Sequence, residues 1–339
     1  MRGVVMHAPG DVRVEDRPDP VIEQPTDAVI RVTAACICGS DLWPYRGAEP
    51  VQDAPMGHEY VGVVEQIGPD VKEIQVGDYV VGSFVASDNT CEICKAGFQS
   101  RCRHQVMMGA IGTQAEKARI PLADGTLVKV PGEPTEAQVK SLLAASDVLG
   151  TGWFAAVAAE AGPGKTVAVV GDGAVGLLGI LAAKRLGAER IIAFSRHADR
   201  QALAEEFGAT DLVEERGEDG IAKVKELTGG YGAHSTIEAV GTQESMLQAI
   251  GSTRPGGHVG YVGVSHGVSL DGLDLFFATV SLLGGPAPVR RFLPELIELI
   301  MTDQIDPGAV FDLELPLEQA AEGYQAMDER RATKVLLTI

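Results

Sequence analysis

Three cysteines lie close together in one polar loop that also contains glycine. Cys91 and Cys94 are separated by two residues, and Cys102 follows eight residues after Cys94. Thiolates grouped in this way, in a chain with an odd number of cysteines and no visible secretory signal, favour a structural zinc site over a disulfide framework. Such a site requires four ligands, and Asp88 is a candidate for the fourth, with His104 as its competitor. A redox-active Cys-x-x-Cys pair is the alternative, but no thioredoxin-like βαβ pattern surrounds these cysteines.

A second group of residues with metal-binding chemistry is spread over two segments. Cys38 begins the sequence Cys-Gly-Ser-Asp after one predicted strand, and His58 lies in the sequence Gly-His-Glu before another. A thiolate and an imidazole suit zinc, and a site with only three protein ligands keeps its fourth position for water or substrate. Spacing alone does not identify the third ligand. The alternative is that Cys38 and His58 are ordinary core residues, as we expect for Cys36.

A glycine-rich loop at residues 171–176, with the sequence GDGAVG, lies between a predicted strand and a predicted helix. This G-x-G-x-x-G pattern is typical of dinucleotide binding, because the glycines allow a tight turn, close approach of the backbone to the diphosphate, and close helix–strand packing. The start of the helix would offer free N–H groups to the phosphates. A glycine-rich turn in a core is the alternative. The candidate cofactor residues of this loop are Gly171, Gly173, Ala174, Val175 and Gly176.

The residues after the next predicted strand indicate which dinucleotide binds. An NAD site usually has an acidic residue there, which accepts a hydrogen bond from the ribose 2′-hydroxyl. This chain has Ser195, Arg196 and His197 instead, followed by Arg200. Ser195 can donate a hydrogen bond to a 2′-phosphate, and Arg196 can pair with it bidentately. The sequence therefore favours NADP over NAD, unless the two arginines only form the solvated face of the following helix.

The elements that would position the metal ligands lie in a strand-rich first part of the chain. Short runs rich in β-branched residues are bounded by proline, glycine and aspartate, which predicts strands joined by turns. Two of these turns are predicted at Gly77-Asp78 and Asp124-Gly125. The pattern predicts an all-β, barrel-like body. Its strands are predicted at 4–6, 12–15, 28–34, 61–67 and 79–85.

Beyond residue 150, predicted strands alternate with predicted helices. This alternation indicates βαβ units and a parallel sheet with helices on both faces. A helix at 290–301 and a strand at 334–339 remain after this region and can complete either domain. The predicted strands are 166–170, 190–194, 211–213, 235–239 and 258–264, and the predicted helices are 174–186, 198–207, 221–227 and 244–252.

The composition excludes several classes of protein. The 339 residues include 28 Lys and Arg against 47 Asp and Glu, so the formal net charge is −19. This acidic balance argues against nucleic acid as a partner and against docking on an anionic membrane. The longest run of apolar residues and glycine, 173–183, covers eleven residues, whereas a membrane span needs about 20. Since no secretory segment is visible, we expect a cytoplasmic protein of two domains.

Several segments resemble the zinc-dependent alcohol dehydrogenase family of the medium-chain dehydrogenase/reductase superfamily, over essentially the whole chain. They are ICGSDLWPYRG near residue 40, GHEYVGVVEQIG at 57–68, GDYVVG at 77–82, the cysteine loop, SDVLGTGW at 146–153 and VVGDGAVGLLGILAAKRLGA at 169–188. SDVLGTGW is similar to the formaldehyde- and threonine-dehydrogenase-like subgroups.

The resemblance implies an α/β plus β fold of two domains. A GroES-like β-barrel catalytic domain would comprise residues 1–149 and 288–339, with a zinc lobe around 88–105. A Rossmann domain with a doubly wound parallel sheet, binding NADP, would comprise residues 150–287.

The resemblance also implies metal ligands that spacing leaves open. The catalytic zinc ligands of the family correspond to Cys38, His58 and Asp147, with Glu59 as an alternate ligand. In the zinc lobe, the family has four cysteines. Here the first of them is replaced by Asp88, and the others are Cys91, Cys94 and Cys102. Because a carboxylate binds zinc acceptably, we keep this second site as a prediction.

The family's remaining site residues are implied in the same way. Ser40 corresponds to the residue that takes the proton of the alcohol, and Trp43 stands where most members have the histidine that continues the proton relay. With tryptophan there, the relay would stop at Ser40 and the nicotinamide ribose, or use water. The residues implied to flank the nicotinamide are Thr151, Val262, Gly263 and Val264.

The function that these residues imply is reversible hydride transfer between a small-molecule alcohol, or its aldehyde or ketone, and NADP. Zinc would act as the Lewis acid. Three alternatives remain: a zinc-independent quinone or enone reductase of the same superfamily, an NAD-using polyol or threonine-type dehydrogenase, and a non-enzymatic protein that keeps only the scaffold. By resemblance, we expect a homo-oligomer, either a dimer or a tetramer.

Overall fold

The computed structural model of the protein describes residues 1–339, which form two compact units. The first unit comprises Met1–Gly150 and Pro288–Ile339, and the second comprises Thr151–Ala287. No single helix has the length and apolar character to cross a membrane. The consecutive helices Glu136–Ala145 and Val148–Ala158 together have the length and composition of a membrane span, but they are bent by 51° at the break between them.

The strands are spread over both units and are numbered in chain order. They are β1 Arg2–Ala8, β2 Asp11–Asp16, β3 Ala28–Ile37, β4 Ala54–Pro55, β5 Tyr60–Ile67, β6 Tyr79–Gly82, β7 Val85–Ala86, β8 Val106–Met107, β9 Lys117–Ile120, β10 Leu127–Lys129, β11 Thr166–Val170, β12 Arg190–Phe194, β13 Asp211–Val213, β14 Ala233–Glu238, β15 Thr253–Tyr261, β16 Ser281–Gly284, β17 Leu313–Pro316 and β18 Val335–Thr338.

The helices lie mostly in the second unit and near the end of the chain. They are α1 Leu42–Tyr45, α2 Glu92–Lys95, α3 Ala123–Thr126, α4 Glu136–Ala145, α5 Val148–Ala158, α6 Ala174–Arg185, α7 Ala198–Phe207, α8 Gly217–Leu227, α9 Gln243–Ser252, α10 Gly272–Ala278, α11 Val289–Met301 and α12 Ala320–Asp328.

The first unit is organised around a seven-stranded sheet. Its strands follow the order β10-β6-β5-β3-β18-β17, and β9 also pairs with β3. The ten residues of β3 are buried almost throughout, because Ile30 packs into one hydrophobic cluster and Ile37 into another. Because β3 is anchored in a hydrophobic cluster near each end, the position of its last residues is well defined. The predicted strand-rich body of the first 150 residues is confirmed.

The second unit contains a six-stranded parallel sheet. Its order is β13-β12-β11-β14-β15-β16, and every pairing is parallel. This order is the doubly wound arrangement that binds dinucleotides at the carboxyl ends of the strands, where the order reverses beside β11. The predicted α/β architecture is therefore confirmed, and β11, β12, β13 and α7 have the bounds that the sequence predicts.

Several predicted elements differ from the structure. The run 79–85 forms two short strands, β6 and β7, instead of one. The predicted turn at Asp124-Gly125 lies inside the short helix α3. The strand predicted at 258–264 begins earlier, at Thr253, and ends at Tyr261. Gly256 therefore lies inside β15, where φ is +76° and the register with β14 shifts. A bulge of this kind interrupts the alternation that marks a strand in sequence.

Candidate functional site

Four possible metal ligands converge in the first unit. One ligand atom from each of Cys38, His58, Glu59 and Asp147 lies within 4.8 Å of the other three. Cys38 follows the last residue of β3, and His58 precedes the first residues of β5. The two strands are antiparallel partners with Ala35 opposite Tyr60, so the end of one lies beside the start of the other.

The third segment of this cluster is the junction between α4 and α5, which contributes Asp147. Its Oδ2 lies 3.3 Å from His58 Nε2 and 3.8 Å from Cys38 Sγ. The Oε1 atom of Glu59 is farther away, at 4.0 Å from His58 Nε2. The structure thus brings together the three groups that spacing alone could not connect.

The donor set of this cluster fits zinc. Sulfur, imidazole nitrogen and carboxylate oxygen are the ligands of zinc sites in proteins. Burial and the nearby Glu59 raise the pKa of the Cys38 thiol. Burial lowers the pKa of His58, but Asp41 and Asp147 outweigh this effect and raise it well above its ordinary value. A divalent cation would compensate the negative charge of these acidic groups, and it would favour the thiolate and the neutral imidazole as ligands.

A hydrogen-bonded group beside the ligands was missed by sequence reasoning. Asp41 Oδ2 accepts a hydrogen bond from the backbone N–H of Cys38 at 3.0 Å and another from Gln114 Nε2 at 3.2 Å. Its other oxygen, Oδ1, lies 3.4 Å from His58 Nδ1. Tyr324 donates to Gln114 Oε1 at 3.0 Å and closes the group from α12. Partners of this kind orient metal-binding imidazoles.

A buried lysine also contacts the cluster. Lys334 Nζ lies 2.9 Å from Glu59 Oε1 and 3.3 Å from the carbonyl oxygen of Ile37. Cys36, which we expected only to face the core, donates from Sγ to Glu59 Oε2 at 3.0 Å. Burial lowers the pKa of Lys334, but Cys36 and Glu59 outweigh it and raise the pKa well above its ordinary value. The one sequence signal for Lys334 is a lysine at the start of an apolar terminal run.

The second predicted metal cluster is also assembled. Ligand atoms of Asp88, Cys91, Cys94 and Cys102 lie within 4.8 Å of one another. The Sγ of Cys91 is 3.5 Å from that of Cys94 and 3.9 Å from that of Cys102. Backbone N–H groups, that of Arg103 first, lower the pKa of Cys91 to about 7. All five cysteines of the chain are free thiols.

His104 approaches this cluster through Asp88. Its Nδ1 lies 2.7 Å from Asp88 Oδ2, and its side chain is 67% exposed. The other carboxylate oxygen, Oδ1, accepts hydrogen bonds from the backbone of Thr90 and Cys91 and faces the thiols. This geometry favours Asp88 over His104 as the fourth ligand, with the imidazole as a partner of the carboxylate.

The glycine loop of the second unit has the geometry that a diphosphate requires. Gly171 has a φ of +116°, and a side chain there would meet Val240. A Cβ on Gly176 would lie 1.9 Å from the carbonyl oxygen of Gly171, so only glycine fits. Gly173, which precedes the first residue of α6, has open space where a side chain would project. The backbone at Gly173 is therefore accessible to a bound phosphate, and Ala174 and Val175 form the first turn of α6.

The residues predicted to select the coenzyme follow β12. Ser195 is buried, and its hydroxyl donates to Asp172 Oδ2 at 2.9 Å. Arg200 Nη1 donates to the other oxygen of Asp172 at 3.2 Å. Arg196 is exposed and donates from Nε to the carbonyl oxygen of Glu214 at 2.8 Å. His197 is the exposed residue that precedes α7.

The remaining predicted site residues lie in short segments of either unit. Ser40 is half-buried in the turn after Cys38, and Trp43 is half-buried in α1. Thr151 is buried in α5. Residues 262–264 follow β15, and the N–H of Val262 still bonds the carbonyl oxygen of Glu238 at 2.9 Å. The structure thus places Val262, Gly263 and Val264 at the carboxyl end of the parallel sheet.

Known proteins are similar to this chain in both fold and sequence. Residues 24–132 match the alcohol dehydrogenase GroES-like domain, and residues 174–301 match the zinc-binding dehydrogenase model. A zinc-type alcohol dehydrogenase B of Aspergillus flavus is 38% identical over 348 residues, covering 99% of this chain and 81% of the relative.

Two solved structures extend the similarity over the complete fold. An alcohol dehydrogenase of Thermus sp. ATN1 superimposes with a TM-score of 0.91 and 32% identity, covering 100% of this chain and 99% of that chain. A structure described as an NAD-dependent alcohol dehydrogenase superimposes with a TM-score of 0.86 and 30% identity, covering 100% of both chains.

Proposed function

The chain belongs to the zinc-dependent alcohol dehydrogenase family of the medium-chain dehydrogenase/reductase superfamily, and we propose that it transfers hydride reversibly between a small alcohol and NADP⁺. The observation that carries this proposal is the convergence of Cys38, His58 and Asp147 from three separate segments of the first unit. Its reaction class is that of its relatives. The coenzyme, the site residues and the substrate are the parts that we propose.

Cys38, His58 and Asp147 hold the catalytic zinc, with Glu59 as an alternate ligand. When bound, the zinc supplies a Lewis acid that polarises the alcohol oxygen and lowers the pKa of its proton. Asp41 holds the backbone at Cys38 and fixes the ring of His58, so both ligands are oriented before the metal arrives. Lys334 donates a hydrogen bond to the carboxylate of Glu59 and compensates its charge.

Ser40 accepts the proton of the alcohol. The residue lies two positions after the proposed ligand Cys38, in the short turn that begins there. Because Trp43 occupies the position of the relay histidine, the proton leaves from Ser40 through the nicotinamide ribose or water. This route predicts a proton transfer that depends on Ser40 more strongly than in relatives with the histidine.

The coenzyme binds to the second unit. The backbone from Gly171 to Gly176 and the start of α6 bind the diphosphate, and Ser195, Arg196, His197 and Arg200 bind the 2′-phosphate of NADP. Thr151 and residues 262–264 flank the nicotinamide, which supplies the hydride acceptor. NAD⁺ is the second candidate coenzyme, because a relative with 30% identity is described as NAD-dependent.

The cysteine lobe binds a second, structural zinc through Asp88, Cys91, Cys94 and Cys102. Its four donors are complete within the lobe, so this ion has no open position for substrate. We assign it to stability of the lobe and not to the reaction.

The enzyme is a homo-oligomer, a dimer or a tetramer. Three apolar side chains of α10 are exposed, namely Leu273 at 65%, Phe276 at 74% and Phe277 at 71%. The neighbouring strand β16 is an unpaired edge of the parallel sheet. A second copy of the chain can pair with this edge by a two-fold axis and cover the apolar side chains. Light scattering tests this, and a monomer at micromolar concentration would contradict it.

The decisive experiment is a panel of primary, secondary and polyol alcohols with NADP⁺ and NAD⁺, combined with zinc quantification per chain. We expect oxidation of at least one alcohol, a preference for NADP⁺, and loss of turnover when zinc is removed. Reduction of a quinone or an enone by the zinc-free chain would favour the zinc-independent alternative instead.

A further inference from the structure

Asp172, the residue between the first two glycines of the loop, uses both of its carboxylate oxygens. Oδ2 accepts from Ser195 Oγ at 2.9 Å, and Oδ1 accepts from Arg200 Nη1 at 3.2 Å. The Asp172 side chain is 12% exposed and that of Arg200 is 19% exposed, so water screens this ion pair only partly. Ser195 and Arg200 are two of the residues assigned above to the 2′-phosphate.

The sheet explains how this carboxylate reaches the end of another strand. β11 and β12 are adjacent and parallel, with Val170 opposite Phe194. The residues that follow each strand therefore leave the same edge of the sheet side by side. Ser195 occupies the position after β12 where an NAD site usually carries its acid. Asp172 delivers a carboxylate to this position from the neighbouring strand.

The balance of charge around this position is therefore different from what the sequence of β12 alone indicates. Arg200 is compensated by Asp172, which leaves Arg196 as the arginine without a carboxylate partner at hydrogen-bond distance. One further acid is close: the Glu214 carboxylate accepts from Gln201 Nε2 at 3.1 Å, and the same Gln201 nitrogen donates to the Ser195 carbonyl oxygen at 3.0 Å.

We propose that Asp172 sets the coenzyme preference of this enzyme, by accepting a hydrogen bond from the adenosine ribose and opposing the negative charge of a 2′-phosphate. The inference rests on the proposed dinucleotide site. A carboxylate near a phosphate dianion acts as a repulsive element, and it also supplies the ribose acceptor that β12 lacks. NADP⁺ remains preferred through Arg196, but this preference is weaker than two arginines without carboxylate partners would give. NAD⁺ is accepted as well.

The test compares two fragments that differ only in the 2′-phosphate, 2′,5′-ADP and 5′-AMP. Their affinities for the full zinc-loaded chain are measured by isothermal titration calorimetry, so the readout does not depend on turnover. Asp172→Asn keeps the size of the side chain and removes its charge. We expect the ratio of 2′,5′-ADP affinity to 5′-AMP affinity to rise about tenfold or more in this variant. If Asp172→Asn does not fold, Asp172→Ser removes the same charge.

The matched control is Glu189→Gln, which removes one exposed negative charge at the amino end of β12, opposite the proposed site. Its ratio should equal that of the unmodified chain. An unchanged or lower ratio in Asp172→Asn would overturn the proposal, because Asp172 would then only position Ser195 and Arg200. A preference of the unmodified chain for 5′-AMP would contradict the proposed NADP preference, while the change caused by Asp172→Asn still decides the role of Asp172. No binding of either fragment would overturn both.

Discussion

Lys334 Nζ lies 2.9 Å from Glu59 Oε1, and the two side chains are only 1% and 0% exposed. The same carboxylate oxygen is 4.0 Å from His58 Nε2, so Lys334 and the metal site share one acidic group. A buried charge without its partner is costly, whereas a complete pair contributes little net stability. Lys334 therefore compensates Glu59 and holds it beside the proposed zinc ligands.

This pair predicts a large effect on stability. Lys334→Met should lower the free energy of unfolding by about 3–5 kcal/mol, because it leaves the Glu59 carboxylate buried and unpaired. The double variant Lys334→Met with Glu59→Gln should recover most of this loss. Urea denaturation of both variants measures the effect. Equal destabilisation in the single and double variants would show that the charge on Glu59 is not the cause.

Removal of a proposed zinc ligand should abolish turnover without abolishing coenzyme binding. We expect His58→Ala and Cys38→Ser to lose the catalytic zinc and to retain the enhancement of NADPH fluorescence, because the glycine loop lies in the other unit. His7→Ala is the matched control, since His7 pairs with Glu15 and Asp53 outside the metal cluster. Full activity of the His58→Ala variant in the absence of zinc would refute the assigned role.

The exposed Arg196 predicts a change of coenzyme preference. Arg196→Asp should shift the ratio of kcat/KM for NADP⁺ and NAD⁺ towards NAD⁺ by about tenfold or more, because it replaces a phosphate-binding group with a repulsive one. Arg254→Asp makes the same change of charge on an exposed residue of β15, near the amino ends of the strands. The same ratio in both variants would rule out Arg196 as a contact of the 2′-phosphate.

Substitutions in the zinc lobe distinguish Asp88 from His104 as the fourth ligand of the structural zinc. Asp88→Ala should reduce the zinc content from two ions per chain to one and lower the Tm, whereas Asp88→Cys should keep both ions, because a thiolate is also a zinc ligand. His104→Ala should retain the second ion, since the imidazole contacts the carboxylate from outside the cluster. Zinc quantification by mass spectrometry measures all three variants. Loss of zinc in His104→Ala but not in Asp88→Ala would reverse the assignment.

Local sequence patterns were sufficient for most of the parallel sheet of the second unit, but they did not predict α10 or the edge strand β16. The strand before the glycine loop, the next strand and α7 have the predicted bounds, because each is a short apolar run or helix ended by glycine or by polar residues. The predicted start of β15 was wrong, because the bulge at Gly256 breaks the alternation of buried and exposed residues. The predicted end was wrong as well, since the strand ends at Tyr261. Residues 262–264 consequently lie beyond the strand that was predicted to contain them.

Contacts between distant segments were beyond the reach of local patterns. Lys334 meets Glu59 because β18 pairs with β3, with Leu336 opposite Cys36, across almost the whole length of the chain. The pair Asp172 and Ser195 depends in the same way on the adjacency of β11 and β12. The proposed ligand Asp147 was identified through the resemblance, because no spacing links it to Cys38.

Anomalous X-ray diffraction at the zinc absorption edge, from crystals of the zinc-loaded protein, locates the catalytic metal. We expect a strong peak about 2.0–2.3 Å from Cys38 Sγ, His58 Nε2 and a carboxylate oxygen of Asp147. A protein that oxidises alcohols but shows no anomalous peak at these three residues would contradict the proposed zinc site.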